Sequence, residues 1–266
     1  MGTRIIVVLS MPGLLWCVAC KSSCAQEAVS GVAADNWQGT SRNGDRVLVP
    51  EGWFQMGLRW SDRNPKDNEL PAHRVFLRAF FIDRYEVTVE QYRKCVDEEV
   101  CTPIRVGREC TMYVGNDEKL PVNCVGWKQA VEYCQWTGGR LPTEAEWEKA
   151  ATYGLKNGEL PNYRETAWYS ETSDDWVHPV GTKKPNAIGL YDMVGNVWEW
   201  CSDWYAGDYY RESPPENPMG PQKGRSRVIR GGGYQDRPCA GARITSRIGS
   251  DPNYGDTIIG FRCAAD

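Results

Sequence analysis

Histidine is nearly missing from this chain of 266 residues, with only His73 and His178 present. A metal centre built on three imidazoles is thereby excluded. Cationic excess is also missing, because 31 Lys and Arg stand against 35 Asp and Glu, a formal charge of -4. No overall positive field exists to draw in nucleic acid or an acidic membrane surface. Long hydrophobic runs are lacking too. The amino-terminal one, IIVVLSMPGLL at 5–15, has eleven residues, about half of the ~20 that a spanning helix needs. Internal repeats and low-complexity tracts are absent, and phenylalanine is scarce at five. Against these absences stand 12 Trp, 13 Tyr, 27 Gly and 16 Pro, which describe a loop-rich fold held by large rings and tight turns. An apolar fraction of 41% with 25% charged residues is ordinary globular composition and rules out disorder and collagen.

The apolar run follows Arg4 and has the anatomy of a signal peptide. Two cleavage readings stay open. Val18, Ala19 and Cys20 resemble the end of a lipoprotein box, with Cys17 where Leu is usual; Ser23 and Ala25 offer a small-x-small site cut before Gln26. Removing 1–25 takes Cys17, Cys20 and Cys24 away and leaves eight of the 11 cysteines, an even set able to pair fully in an oxidising compartment. Lipidation at Cys20 would instead keep Cys24 as an odd thiol. Cleavage also leaves 29 basic against 35 acidic residues, a net of -6. The expected organisation is a signal peptide over 1–25, a linker over 26–45 and one domain over 46–266. The expected location is outside the cytoplasm, whether periplasmic, extracellular or on a membrane through a lipid anchor on Cys20.

Within the domain, VLVPEGWFQMG at 47–57 has the alternation and Pro/Gly punctuation of a hairpin, and HRVFLRAFFIDRYEVT at 73–88 alternates as one long half-buried strand. Thr88 with Gln91 forms a capping box that opens a helix. Trp127, Ala130, Val131 and Cys134 are spaced as one helical face, stopped by Gly138 and Gly139. Thr143 with Glu146 opens a third helix carrying Trp147, Ala150 and Ala151 on one face. Glu144, Glu146 and Glu148 read as an acidic surface favoured by the helix dipole. Residues 155–266 read as turns and short strands, including RVIRGGGY and IIGFRCA. The class is α+β, with few helices and much irregular structure, and ~220 residues fit a single core.

Seven segments then stop looking generic: GWFQMG (52–57), YEVTVEQY (85–92), PVNCVGWKQAVEYCQW (121–136), GRLPTEAEWEKAA (139–151), GLYDMVGNVWEWCSDW (189–204), RVIRGGGY (227–234) and GFRCAAD (260–266). In this order they resemble the blocks of the formylglycine-generating enzyme, or sulfatase-modifying factor, family. The resemblance implies a variant of the C-type lectin fold. It also implies an O2-dependent oxidoreductase that converts a cysteine of a substrate polypeptide to formylglycine, using copper(I) held by two thiolates. Soft thiolates suit that ion.

In family members with this activity the pair follows the glycine block as GGSY-x-C-x4-C, with Arg four residues after the second cysteine; this chain reads GGGYQDRPCAGAR. Cys239 keeps the second position, since Arg243 follows it by four. Two residues are missing before it, Asp236 stands where the first thiol belongs, and Gly233 replaces the serine. Trp198, which resembles the family's active-site tryptophan, remains. One thiolate cannot make a two-coordinate copper site, so loss of the oxidase chemistry is expected. Cys201 could supply the missing ligand; a Cys201–Cys239 disulfide is the favoured alternative.

The resemblance further implies a disulfide between Cys134 and Cys263. The family's other bridge has Ala151 and Ile244 at its two places. Cys95, Cys101, Cys110 and Cys124 leave three connectivities open. Asp192 and Glu199 carboxylates with the Gly195 and Val197 carbonyls form a hard oxygen set that resembles one of the family's two calcium sites. The second calcium site is expected to be lost from the shorter stretch 166–179. His73, His178 and Asp236 have the residue types of a two-histidine, one-carboxylate iron site, but each histidine reads better as a hydrogen-bonded surface or turn residue. The Trp and Tyr excess reads as core and groove.

Together these point to an exported family member with calcium and without a working copper pair, acting as a binding or accessory module for a polypeptide or other ligand. The alternatives are an active oxidase or other periplasmic maturation enzyme using Cys239, and a structural envelope lipoprotein.

Overall fold

The computed structural model of the chain describes residues 45–266 apart from 59–63, 106, 108, 115, 116, 157, 158 and 239. The signal segment, the lipoprotein box, nearly all of the 26–45 linker and Cys239 lie outside the described residues. Among the described residues no helix is long and apolar enough to cross a membrane.

Three helices form where side chains cap them. In α1 (Val89–Asp97) and α3 (Glu144–Ala151), Thr88 and Thr143 accept from the backbone of Gln91 and Glu146, whose own side chains return to the cap residue. In α2 (Trp127–Trp136) Gln129 closes back on the Gly126 amide, and Gly138 turns the chain out at φ 73°. A fourth helix, α4 (Tyr163–Thr166), is one turn long.

Among the described residues nine strands complete the α+β fold. Strands β1 (Arg46–Val49), β4 (Phe80–Asp83) and β9 (Ala264–Ala265) make one sheet in the order β1-β4-β9. Strands β2 (Gly52–Met56) and β3 (His73–Leu77) pair with each other. The largest sheet orders β7 (Arg247–Ser250), β6 (Arg227–Arg230), β5 (Trp198–Trp204) and β8 (Ile259–Gly260) as β7-β6-β5-β8.

The hairpin expected within 47–57 does not form, and the strand expected over 73–88 is two strands ending at Asp83. Both segments are arms of one antiparallel ribbon. Arg46 faces Asp83, Val49 faces Phe80, Gly52 faces Leu77 and Met56 faces His73, so a single register runs through both ladders. The interruption falls at Pro50, which has no amide to give to a ladder. Lys149 from α3 fills the gap: its Nζ donates to Pro50 O at 2.7 Å and Gly52 O at 3.0 Å. Pro50 is therefore a break within a strand, not a turn between two.

The core has two main parts. One gathers β1, β3, β4 and α3 around Trp147, Val75, Ile82 and Leu190; Ala151 and Ile244 both pack here. The other gathers Tyr92, Tyr133, Trp198, Trp200 and Phe261. Cys134 bonds Cys263 in the second part, as the resemblance implies, and the open pairings resolve as Cys95–Cys101 and Cys110–Cys124.

The acidic surface expected on α3 is not a surface. Glu144, Glu146 and Glu148 are buried. Arg247 reaches Glu144 through Nε at 2.6 Å and Nη2 at 2.8 Å, Arg230 pairs with Glu148, and Arg140 holds both oxygens of Glu146 at 2.7 Å. Arg230 and Arg247 come from β6 and β7, far away in sequence, whereas Arg140 comes from the turn just before α3.

Candidate functional site

Strand β5 sits between β6 and β8, and its alternation sends neighbouring residues to opposite sides. Trp198 and Trp200 join the aromatic core part, whereas Cys201 packs with Trp147, Val228 and Ile244 in the other. The indole of Trp198 points at the loop after the glycine block and donates from Nε1 to Asp236 Oδ2 at 2.8 Å. The Gly233 amide donates to the same oxygen at 2.9 Å, and the Asp236 amide returns to Gly233 O at 3.0 Å. Asp236 is thus a fixed acceptor for an indole and a backbone amide.

The glycine block makes this approach possible. Gly232 has φ 81°, and a Cβ there would lie 2.5 Å from Ala242 Cα, so only glycine lets the two backbones meet. The loop then closes tightly, with the amides of Ala240, Gly241 and Ala242 all donating to Arg237 O. Cys239 belongs to this loop and lies outside the described residues. Arg243 turns away from it: Nη2 meets the buried Glu69 at 2.5 Å and Nη1 meets Asn64 O at 3.1 Å.

Cys201 is a free, buried thiol, so the favoured Cys201–Cys239 disulfide does not form. Burial, then the nearby carboxylates of Asp203 and Glu144, push its pKa well up, and strand alternation points it away from Trp198. It is a poor substitute metal ligand for the same reasons. Among the described residues no cysteine joins the Asp236 loop, since the other six are disulfide-bonded.

The oxygen-rich turn before β5 is more telling. Asp192 (φ 56°) and Asn196 (φ 54°) take left-handed backbone, and at Gly195 (φ 79°) a Cβ would run into Trp168 O. Asp192 Oδ2 accepts from the Gly181 amide at 2.8 Å, while its Oδ1 is buried without a hydrogen-bond partner. Burial pushes this carboxyl up to about 6. Glu199 takes Arg262 Nη2 on Oε1 at 2.7 Å, and Arg262 Nε and Trp147 Nε1 on Oε2 at 2.7 and 2.8 Å.

Glu86, which the sequence reading did not single out, joins them. It accepts from Asn196 Nδ2 and from the Val197 amide, and burial followed by the Asp192 and Glu199 charges drives its pKa well up. Three buried carboxyls therefore share one guanidinium, leaving negative charge in surplus. Such a site favours a cation, and Asp192 Oδ1 with the second acceptor position of Glu199 Oε1 could take one beside the turn's carbonyls. Among the described residues no group of three or more His, Cys, Asp or Glu side chains is arranged to hold a metal, so a cation here would depend on backbone carbonyls. Glu86 lies in the quoted block YEVTVEQY, where only Thr88 and Gln91 had an assigned role.

The two histidines stay apart. The His73 ring packs on Tyr210 at 4.9 Å between centroids, while His178 stacks on Trp168 at 3.7 Å and meets Ser173 O at 2.8 Å. Neither has a hydrogen bond to Asp236.

Residues 33–266 match the sulfatase-modifying factor enzyme 1-like domain family. The chain is 33% identical to a formylglycine-generating enzyme of Streptomyces coelicolor, over 83% of this chain and 89% of that one. It is 31% identical to an inactive C-alpha-formylglycine-generating enzyme 2 of Bos taurus, over 85% and 90%. Among solved structures, PvdO from Pseudomonas aeruginosa superposes with TM-score 0.73 at 26% identity, covering 86% of this chain and 99% of that one.

Proposed function

Because this chain belongs to the sulfatase-modifying factor enzyme 1-like family, with the formylglycine-generating-enzyme-like variant of the C-type lectin fold, we propose that it is an exported member without oxidase activity that serves as a binding or accessory module for a polypeptide. The observation that carries this is Asp236. A hard carboxylate, already bonded to Trp198 Nε1 and the Gly233 amide, stands where a soft thiolate is needed, and it suits copper(I) poorly. The inactive relative from Bos taurus keeps similarity over nearly its whole length, which agrees with a fold retained for another purpose. Three disulfides agree with export to an oxidising compartment.

The test is mass spectrometry of a CxPxR-type peptide incubated with the copper-loaded protein and O2. No aldehyde above background is expected. Formylglycine in that peptide would overturn the proposal and make Cys239 part of an unconventional active site.

Calcium at Asp192, Gly195, Val197 and Glu199 is the second part of this reading. The orphaned Asp192 Oδ1 and the surplus buried negative charge support it. When bound, the ion would supply counter-charge to Asp192 and Glu199 and tie the turn to β5, a structural role. Millimolar Ca2+ is expected to raise Tm for the wild type and to leave Asp192→Ala unchanged; equal shifts in both would remove the site.

A further inference from the structure

On the far end of β5 from Trp198 the β5–β6 ladder loses its register. Trp200 faces Ile229 and Trp204 faces Arg227, so Cys201, Ser202 and Asp203 stand opposite Val228 alone. Such a bulge re-aims backbone groups and is common beside binding sites. Here the carbonyls freed from the ladder are taken from the side: Cys201 O by Trp127 Nε1 at 2.8 Å, and Ser202 O by Arg227 Nη1 at 2.6 Å.

The bulge forms one wall of an open cleft of about 720 Å³, within the usual size of ligand sites. None of its lining residues belongs to the loop that carries Asp236. Its main feature is Arg227, whose guanidinium lies between two indoles, 3.8 Å from the Trp127 ring centroid and 3.5 Å from that of Trp204. The rings hold the group flat and shed water from its faces, yet they supply no negative charge. Its Nε is buried without a hydrogen-bond partner. Among the described residues neither Arg227 nor Arg78, the cleft's other free cation, forms an ion pair. Arg140, also in the lining, is already neutralised by Glu146 and Asp266. The lining therefore carries three guanidiniums against two carboxylates, on a chain whose net charge is -4. The same lining offers apolar surface, chiefly a Met219 that is 73% exposed.

We propose that this cleft binds an acidic segment of a polypeptide, a carboxylate side chain entering between Arg227 and Arg78 and an adjoining aliphatic residue covering Met219. The charge of the cleft selects the carboxylate. An extended peptide is favoured over a small acid by the Gln135 and Asn217 side-chain amides in the lining, because primary amides pair readily with peptide groups. The proposal rests on the binding-module reading but assigns the binding to a face separate from the Asp236 loop.

The experiment titrates the whole mature protein, by calorimetry and tryptophan fluorescence, with acetyl-Leu-Glu-Leu-Glu-Leu-amide and with its Gln-for-Glu counterpart. The acidic peptide is expected to bind at least about tenfold more tightly, the scale of one charge-assisted hydrogen bond, and to lose affinity with added salt. Arg227→Gln is expected to remove at least about tenfold of that affinity. The exposed Arg78→Gln, which leaves the fold untouched, is expected to remove about threefold. Equal binding of the two peptides, or unchanged affinity in Arg78→Gln, overturns the proposal. Formation of formylglycine would instead overturn the binding-module reading through a different readout, so the two failures are distinguishable.

Discussion

Replacing Cys134 and Cys263 together by alanine is expected to lower the unfolding free energy by ~4–5 kcal/mol and Tm by roughly 10–18 °C for a domain of this size. The bond joins α2 to the segment just before β9 and spans 129 residues. Its removal releases the largest loop of the three bridges, and the chain-entropy cost of closing a loop grows with the logarithm of its length. The same arithmetic gives ~3 kcal/mol for Cys110–Cys124, separated by 14, and about 2 kcal/mol for Cys95–Cys101, separated by 6. Calorimetry on the three double-alanine variants should therefore return that ranking. Position adds to length. Cys263 lies between Arg262, which holds Glu199, and β9, which closes the β1-β4-β9 sheet, and its amide donates to Asp83 at 2.9 Å. If the Cys95–Cys101 variant were the least stable of the three, loop entropy would not be the source of the stabilisation.

The uneven legibility of this fold follows from how far each determinant reaches. Helix starts at Thr88 and Thr143 were readable because a capping box is complete within four residues. Strand partners were not, because β1 and β2 are completed by strands that lie beyond the next turn, Val49 meeting Phe80 and Met56 meeting His73. Pro50 fits a turn as well as a strand break, and Lys149, the residue that decides between them, lies on α3. The same holds for the glutamates of α3. Three glutamates in the first five residues of α3 look like a solvated, dipole-favoured face until Arg230 and Arg247 are brought across by β6 and β7.

The site divides along the same line. The departures at Asp236 and Gly233 were visible as substitutions within a known motif, and the structure adds what the carboxylate does there. Cys201 looked like a partner for Cys239 because WEWC and the glycine block lie close in the fold. Strand alternation decides otherwise: one residue step along β5 exchanges the Trp198 side for the Trp147 side. Glu86 stayed hidden because its role depends on Asn196 and Val197, over a hundred residues later. The Arg227 cleft left no sequence motif, since a bulge and an indole on β5, a second indole on α2 and a guanidinium on β6 build it.

The arginines facing α3 carry the second large effect. Arg247→Met is expected to cost about 3–5 kcal/mol at neutral pH, the usual result of leaving one member of a buried pair without its partner. Arg247 is 1% exposed and holds both oxygens of Glu144, which is 2% exposed. It also satisfies the carbonyls of Asn68 and Ala206. Without it Glu144 keeps only Arg230 at 3.5 Å and the Tyr210 hydroxyl at 3.2 Å. Burial pulls the Glu144 carboxyl upward, but the Arg247 charge and its hydrogen bonds, joined by Arg230 and the Tyr210 hydroxyl, outweigh it and hold the pKa below the ordinary value. In the wild type that stabilisation is therefore present above the unfolded pKa of about 4.3 and fades as pH falls through the lower folded value. In Arg247→Met burial dominates, the Glu144 pKa rises above the unfolded value, and the pH dependence of this group reverses. Denaturant unfolding at pH 5 and pH 8 should show the variant's deficit growing toward the higher pH. Adding Glu144→Met to Arg247→Met removes the stranded charge and is expected to recover a large part of the loss, because an apolar pair of similar volume replaces a buried ion pair at little cost. A double variant as unstable as the single one would show that Arg247 acts through the backbone carbonyls it satisfies, not through Glu144.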